Sequence, residues 1–188
     1  MKALIVIDYT KDFVDGSLPV GQPAIDLDDR IAAITQAYVE QGDFVVMAVD
    51  LHEESDPYHP ESKLFPPHNI RGTEGRHLYG KLQTLYEQQS ASIYWLDKTR
   101  YSAFAGTDLE LRLRERGILQ VHLIGVCTDI CVLHTAVDAY NKGFAITVYK
   151  DAVASFNQAG HDWALGHFEE SLGAAVWSAQ DTILLHKK

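Results

Sequence analysis

The chain contains two cysteines, Cys127 and Cys131, four residues apart in GVCTDICV. A cysteine attacks a carbonyl carbon as its thiolate, so its surroundings decide whether it is a reagent or a small core residue. Cys131 lies where a helix begins after the apolar run HLIGV, with Thr128 or Asp129 available as a cap. Free N–H groups and the helix dipole at such a start favour negative charge. Two other polar residues also follow apolar runs: Asp8 after LIVI and Lys98 after IYWLD. An ammonium beside the sulfur would favour the thiolate further. A carboxylate could take the thiol proton and later deliver it to a departing amine. With the backbone N–H groups of Cys131 and the preceding turn as oxyanion donors, these parts make an acyl-transfer site. Each residue taken singly has a plainer role, as a turn cap, a solvated lysine or a core thiol. His134, one turn beyond Cys131, is a rival base whose plainer role is to face the core or a helix neighbour.

A second group is of a different type. Asp50 and His52 lie two apart in an extended segment and so point the same way. Glu61 in HPES and His68 in PPHN follow, with His59 and Asp56 as further possibilities. Two carboxylates and two imidazoles suit a divalent ion such as zinc, manganese or iron; the alternative is a polar surface loop. Phe13, Phe65 and Tyr101 lie close in sequence to these groups, where a flat aromatic substrate could wedge among them.

Such residues meet only if the backbone brings them to one rim. Apolar, β-branched runs occur at Ala3–Ile7, Phe44–Val49, Ile93–Leu96, Val121–Val126 and Ala145–Val148, with a weaker run at Ala174–Trp177. Continuous runs of this kind suit parallel strands buried on both faces. Between them, Leu27, Ile31, Ile34 and Tyr38 recur at helical spacing before a stop at Gly42. Thr107 to Glu110 forms a capping box for a helix ending at Gly117. Ile130, His134, Val137 and Tyr140 share one face of another helix, which Gly143 ends. This alternation predicts an α/β fold: a Rossmann-like three-layer sandwich with a mostly parallel sheet of about six strands and helices on both faces. Ligands in such sheets sit beyond the carboxyl ends of the strands, where Asp8, Asp50 and Lys98 emerge. The segment from Leu51 to Gly75 breaks the rhythm, and loops of that length in compact domains are commonly functional.

The 188 residues, with 46% hydrophobic and 22% charged residues, fit a single globular domain spanning 1–188. A formal net charge of −10 argues against nucleic acid or an anionic membrane as partner, since either needs a basic face. No apolar run reaches the roughly 18 residues of a membrane span, and MKALIVIDYTKDF has the character of a first strand rather than a signal peptide. Two cysteines without further partners suit a reducing, cytoplasmic setting.

Taken together, IDYTKDF, DLH followed by HPES and PPHN, DKTRYSAF, and GVCTDICV resemble the nicotinamidases of the isochorismatase-like cysteine hydrolases, in that order and over about Met1 to Gly173. Asp8, Lys98 and Cys131 mark the superfamily; the Asp50, His52, Glu61 and His68 group resembles the nicotinamidase branch. The resemblance implies hydrolysis of nicotinamide, and of pyrazinamide, through a thioester on Cys131 in NAD salvage. Asp8 would relay the proton, Lys98 would stabilise the charged forms, and backbone N–H groups of Cys127 and Cys131 would hold the oxyanion. It further implies a non-proline cis peptide at Val126–Cys127. One divalent ion per chain, zinc ahead of manganese or iron, would bind the pyridine nitrogen through Asp50, His52, Glu61 and His68. Phe13, Phe65 and Tyr101 would pack the ring, and the enzyme would form homo-dimers or tetramers. Cys127 departs from the small residue that relatives often carry, and it puts a second thiol near the nucleophile. Two other readings keep the fold: a metal-free isochorismatase or N-carbamoyl hydrolase using the same triad, and a catalytically silent binding module.

Overall fold

The computed structural model describes residues 1–179; residues 180–188 of the span expected to form one domain lie outside them. Six strands form one sheet, all parallel, in the order β3-β2-β1-β4-β5-β6. In chain order the elements are β1 (Ala3–Ile7), α1 (Lys11–Val14), α2 (Gln22–Ile25), α3 (Asp28–Glu40), β2 (Phe44–Asp50), α4 (Gly80–Gln89) and β3 (Ile93–Lys98). Then come α5 (Leu109–Glu115), β4 (Gln120–Val126), α6 (Leu133–Asn141), β5 (Ala145–Ala154), α7 (Gln158–Glu170) and β6 (Ala175–Trp177). Every residue of β1 is buried, as a strand covered on both faces requires.

Alternate residues of the central strands feed two cores. Leu4, Val6, Val45 and Met47 pack with Ile31 and Ile34 of α3 and Leu82 of α4. Ile5, Ile7, Val46 and Ala48 pack with Leu109 and Leu113 of α5, Ala136 of α6 and Phe168 of α7. The result is the expected three-layer sandwich. The sheet reverses direction of growth between β1 and β4, and a crevice opens at that point beyond the strand ends.

The strands begin where the apolar runs begin, to within a residue, and several end later. Asp50 is the last residue of β2 and Lys98 the last of β3. β5 runs on to Ala154 through Lys150 and Asp151, with its pairing to β4 slipping between Leu123 and Gly125. Three helix details also differ from expectation. Asp108 occupies the N-cap position of the helix after Thr107 without a side-chain cap bond, Thr107 Oγ1 accepts from the Leu109 N–H at 3.3 Å, and the Glu110 carboxylate pairs with Lys142 instead of closing a capping box. Neither Thr128 nor Asp129 caps the helix after β4: Thr128 Oγ1 bonds the His161 ring and Asp129 accepts from Ser155. That helix opens with a π turn, Thr128–Val132. The face shared by His134, Val137 and Tyr140 points outward, while Thr135, Ala136 and Ala139 make the core side of α6.

One glycine is required by close approach. Gly125 sits at φ +115°, and a Cβ there would lie 2.0 Å from the Ile7 carbonyl oxygen. Only glycine lets β4 come so close to β1 one residue before Asp8 and two before Cys127.

Candidate active site and metal centre

Three of the expected catalytic groups converge. β1 stops at Ile7 because Asp8 turns into the left-handed region, φ 53°, a conformation Asp tolerates better than most residues. Its carboxylate Oδ1 accepts from the Asp50 N–H at 2.8 Å, and Oδ2 lies 2.7 Å from Lys98 Nζ. Lys98 Nζ also reaches Asp50 Oδ1 at 2.5 Å, the Arg100 carbonyl at 3.2 Å and Cys131 Sγ at 3.7 Å. Asp8, Asp50 and Cys131 each offer an atom within 4.8 Å of the others. All four side chains are buried, and Lys98 is fully so.

The electrostatics follow from that burial. Burial pushes the Asp8 carboxyl up to about 7, with the Asp50 charge adding to it and Lys98 opposing. Burial would raise Asp50 too, but Lys98 and His52 outweigh it and hold its carboxyl at about 2. Burial alone would lower the Lys98 ammonium; the Asp50 and Asp8 charges instead raise it well above its usual range. Cys131 differs from the sequence expectation. Burial carries its thiol well above the ordinary value, and Lys98 offsets this only in part. The Asp8 carboxylate lies within 4.8 Å of the sulfur, placed to act as the base for its proton.

The loop residues converge beside this group. His52 Nε2 lies 3.6 Å and His68 Nε2 4.0 Å from Asp50 Oδ2, and His68 Nε2 is 3.5 Å from Glu61 Oε2. Donors around one tetrahedral ion with bonds of about 2.1 Å are spaced by about 3.4 Å. Asp50 Oδ2, His52 Nε2 and His68 Nε2 are buried without a hydrogen-bond partner among the described residues. Buried polar atoms are rarely left so, and a cation among them satisfies all three. His68 Nδ1–H donates to the Pro66 carbonyl at 2.8 Å, which leaves the Nε2 lone pair facing the cluster. The donor set, its burial and its orphaned atoms fit a divalent metal. Asp56 lines the same hollow, but its carboxylate is turned to the Tyr58 N–H.

A narrow cleft opens between the two groups, lined by Phe13, Phe65, Tyr101, Glu61, Cys127 and Cys131. Leu18, Ile130 and Phe156 complete the wall and were not anticipated from sequence. Phe156 leaves the carboxyl end of β5, so the strand-end argument could have found it had β5 been traced past its charged residues. His134 is exposed, bonds the Ile130 carbonyl through Nδ1 at 2.7 Å and packs at a tilt against the Tyr101 ring; it does not line the cleft. The Val126–Cys127 peptide is cis, and burial pushes the Cys127 thiol up to about 12.

Two supporting residues also lie outside the sequence expectation. The Arg76 guanidinium grips the carbonyls of Asp50 (2.8 Å) and Val49 (3.3 Å) and the Asp97 carboxylate, clamping the ends of β2 and β3. Asn69, next to His68, takes φ 46° and is held on three sides. Its N–H donates to Asp12, its carbonyl accepts from the His52 N–H and its side chain accepts from Thr10. Neither residue belongs to a recognisable spacing, because their partners are far away in sequence.

The sheet is all parallel, its carboxyl rim brings Asp8, Lys98 and Cys131 together, and residues 2–181 match the isochorismatase domain family. The chain belongs to that family. It is 63% identical over 179 residues to the isochorismatase family protein PncA of Bacillus subtilis, covering 93% of this chain and 98% of the relative. The crystal structure of a nicotinamidase/pyrazinamidase PncA from Bacillus subtilis superposes with a TM-score of 0.93 at 60% identity, covering 95% of this chain and 100% of that one. A pyrazinamidase of Pyrococcus horikoshii in complex with zinc superposes with a TM-score of 0.84 at 29% identity, covering 94% and 98%.

Proposed function

We propose that this protein is a nicotinamidase that hydrolyses nicotinamide to nicotinate and ammonia, with pyrazinamide as a further substrate. The observation that carries the proposal is the placement of Lys98 Nζ 2.7 Å from Asp8 and 3.7 Å from Cys131 Sγ. That group opens on an aromatic cleft which shares Glu61 with the four-residue ligand cluster.

In the reaction, Cys131 Sγ attacks the carboxamide carbon as its proton passes to Asp8. The backbone N–H groups of Cys127 and Cys131 receive the oxyanion. Asp8 returns the proton to the nitrogen, the C–N bond breaks, ammonia leaves and a thioester remains on Cys131. Asp8 then takes a proton from water as it adds to the thioester; the C–S bond breaks and the proton returns to the sulfur. Lys98 stays charged throughout and balances whichever of Asp8 or Cys131 is anionic. Phe13, Phe65 and Tyr101 sandwich the ring, whose amide is thereby held to the nucleophile. A divalent ion, zinc first, held by Asp50, His52, Glu61 and His68, would supply a Lewis-acid anchor for the pyridine nitrogen.

The family resemblance leads us to assign a homo-dimer or tetramer, which sedimentation would test. Pyridine-nucleotide salvage in the cytoplasm is the setting we assign. Among the described residues no helix is long and apolar enough to cross a membrane.

Ammonia release from nicotinamide by the zinc-loaded protein tests the proposal. Turnover is expected in the wild type and a fall of at least about 1,000-fold in Cys131→Ala and Asp8→Ala. Absence of turnover in a folded, zinc-loaded wild-type sample overturns the substrate assignment.

A further inference from the structure

His59 lines the same hollow as the ligand cluster, and its ring lies 4.3 Å from that of His52. By residue type it is a natural additional ligand. Its hydrogen bonds assign it another task. The Nε2 is 2.7 Å from the Thr99 carbonyl, which can only accept, so Nε2 carries the proton. The remaining lone pair, on Nδ1, accepts the Glu61 N–H at 3.2 Å. One neutral tautomer satisfies both bonds, and neither nitrogen is left for an ion.

The position of these partners gives the arrangement its meaning. His59 is the N-cap of the short 3₁₀ turn Pro60–Lys63, with Pro60 at the first position and Glu61 at the second. That turn projects Glu61 toward His68. Thr99 directly follows Lys98, the last residue of β3. One buried imidazole therefore ties the loop segment that offers a carboxylate ligand to the strand end that offers the catalytic ammonium. Other links between loop and sheet, through Asn69 and Arg76, fix His52, His68 and Asp50. Glu61 lies on the far excursion of the loop and is served by His59.

We propose that His59 is a positioning residue for Glu61: it sets this carboxylate toward the ion by capping its turn and anchoring that cap on Thr99, and it is not itself a ligand. The proposal rests on the metal reading of the cluster and goes beyond it by dividing two neighbouring histidines, His52 and His59, into a ligand and a brace.

The test is zinc affinity, measured by competition against a chromophoric chelator, together with the visible spectrum of the cobalt(II)-substituted protein. His59→Ala removes both bonds, and zinc binding is expected to weaken about 10- to 100-fold, the range for loss of an outer-shell partner. His59→Asn keeps an oxygen at the place of Nδ1 and is among the best capping residues, yet it is a poor zinc ligand. It should recover most of the affinity, with a cobalt spectrum matching that of the wild type. If His59 ligates, Asn fails to rescue and the spectrum changes, which overturns the proposal. Unchanged affinity in His59→Ala overturns it as well. If His59→Ala fails to fold, the Asn spectrum and affinity alone decide. A folded wild type that binds no zinc defeats the metal reading itself, and the brace with it.

Discussion

Asp50 and Lys98 stand opposite one another as the last residues of two adjacent parallel strands, and Asp50 turns one carboxylate oxygen to each half of the site. Oδ1 accepts from Lys98 Nζ while Oδ2 faces His52 and His68. The same carboxylate thus neutralises the ammonium of the catalytic group and contributes to the ligand cluster. Separating the two halves would leave Lys98 with Asp8 alone as an ionic partner in a fully buried setting. A residue placed this way is expected to show two effects on substitution where an ordinary ligand shows one.

Asp50→Asn is therefore expected to weaken zinc binding and, separately, to lower kcat at saturating zinc by at least about 10-fold. Titrating zinc into the variant while following ammonia release checks this. Recovery to the wild-type rate at high zinc would reduce Asp50 to a ligand only.

Lys98→Met leaves two buried carboxylates facing each other without a cation. Removing one partner of a buried ion group costs about 3–5 kcal/mol, so the urea midpoint should fall by an amount corresponding to that range. Lys98→Met with Asp8→Asn in one chain should regain part of the loss, since one stranded charge is gone. A double variant no more stable than the single would place the cost in packing.

Gly125→Ala sets a methyl group against the Ile7 carbonyl and forces an alanine into φ +115°. Strained backbone of this type costs of order 1–3 kcal/mol before the overlap is counted. Because Asp8 and Cys127 flank the contact, ammonia release should fall more steeply than stability. Comparing thermal midpoint with kcat/KM separates the two, and a variant destabilised but fully active would show that the contact is only structural.

At the opposite end of the sheet, His122 is buried, with Nδ1 bonded to Tyr38 and Tyr149. Burial, aided by the Lys2 charge, lowers its pKa from the usual 6.5 to about 4. The unfolded chain then binds a proton that the folded chain refuses. Stability is at its full value above pH 6.5 and declines between 6.5 and 4, by up to about 3 kcal/mol in total. His122→Asn, which keeps an acceptor for Tyr38, should flatten this stretch of the profile by one proton's worth, about 1.4 kcal/mol per pH unit. Urea denaturation in steps of pH measures it, and an unchanged slope would assign the acid loss to other groups.

Much of this site was legible because parallel strands buried on both faces leave long apolar runs, and the polar residues just after such a run must appear at the rim. Asp8 and Lys98 stood out for that reason. The ligand set was legible through residue type, and a family resemblance picked out Glu61. What stayed hidden depended on contacts across the fold. Arg76 is one arginine among several until its guanidinium is seen on the ends of β2 and β3. Phe156 was missed because Lys150 and Asp151 interrupt the apolar signal of β5. The upward push of burial on the Cys131 thiol stayed hidden because sequence reveals the neighbouring cation and the helix start but not the depth of burial. The outward face of α6 was obscured because its core side is built from small residues, Ala136 and Ala139, while larger ones face out.

Across the rim, Lys98, Asp50, Asp8 and Cys127 follow β3, β2, β1 and β4, which is the spatial order of the strands. The β1–β4 seam joins Ala3 to Val121, so about the first two-thirds of the 188 residues must be made before the two sides of the crevice can meet. Contacts so distant in sequence are slow to form. A nascent chain shorter than that carries the acid and the ammonium without the nucleophile.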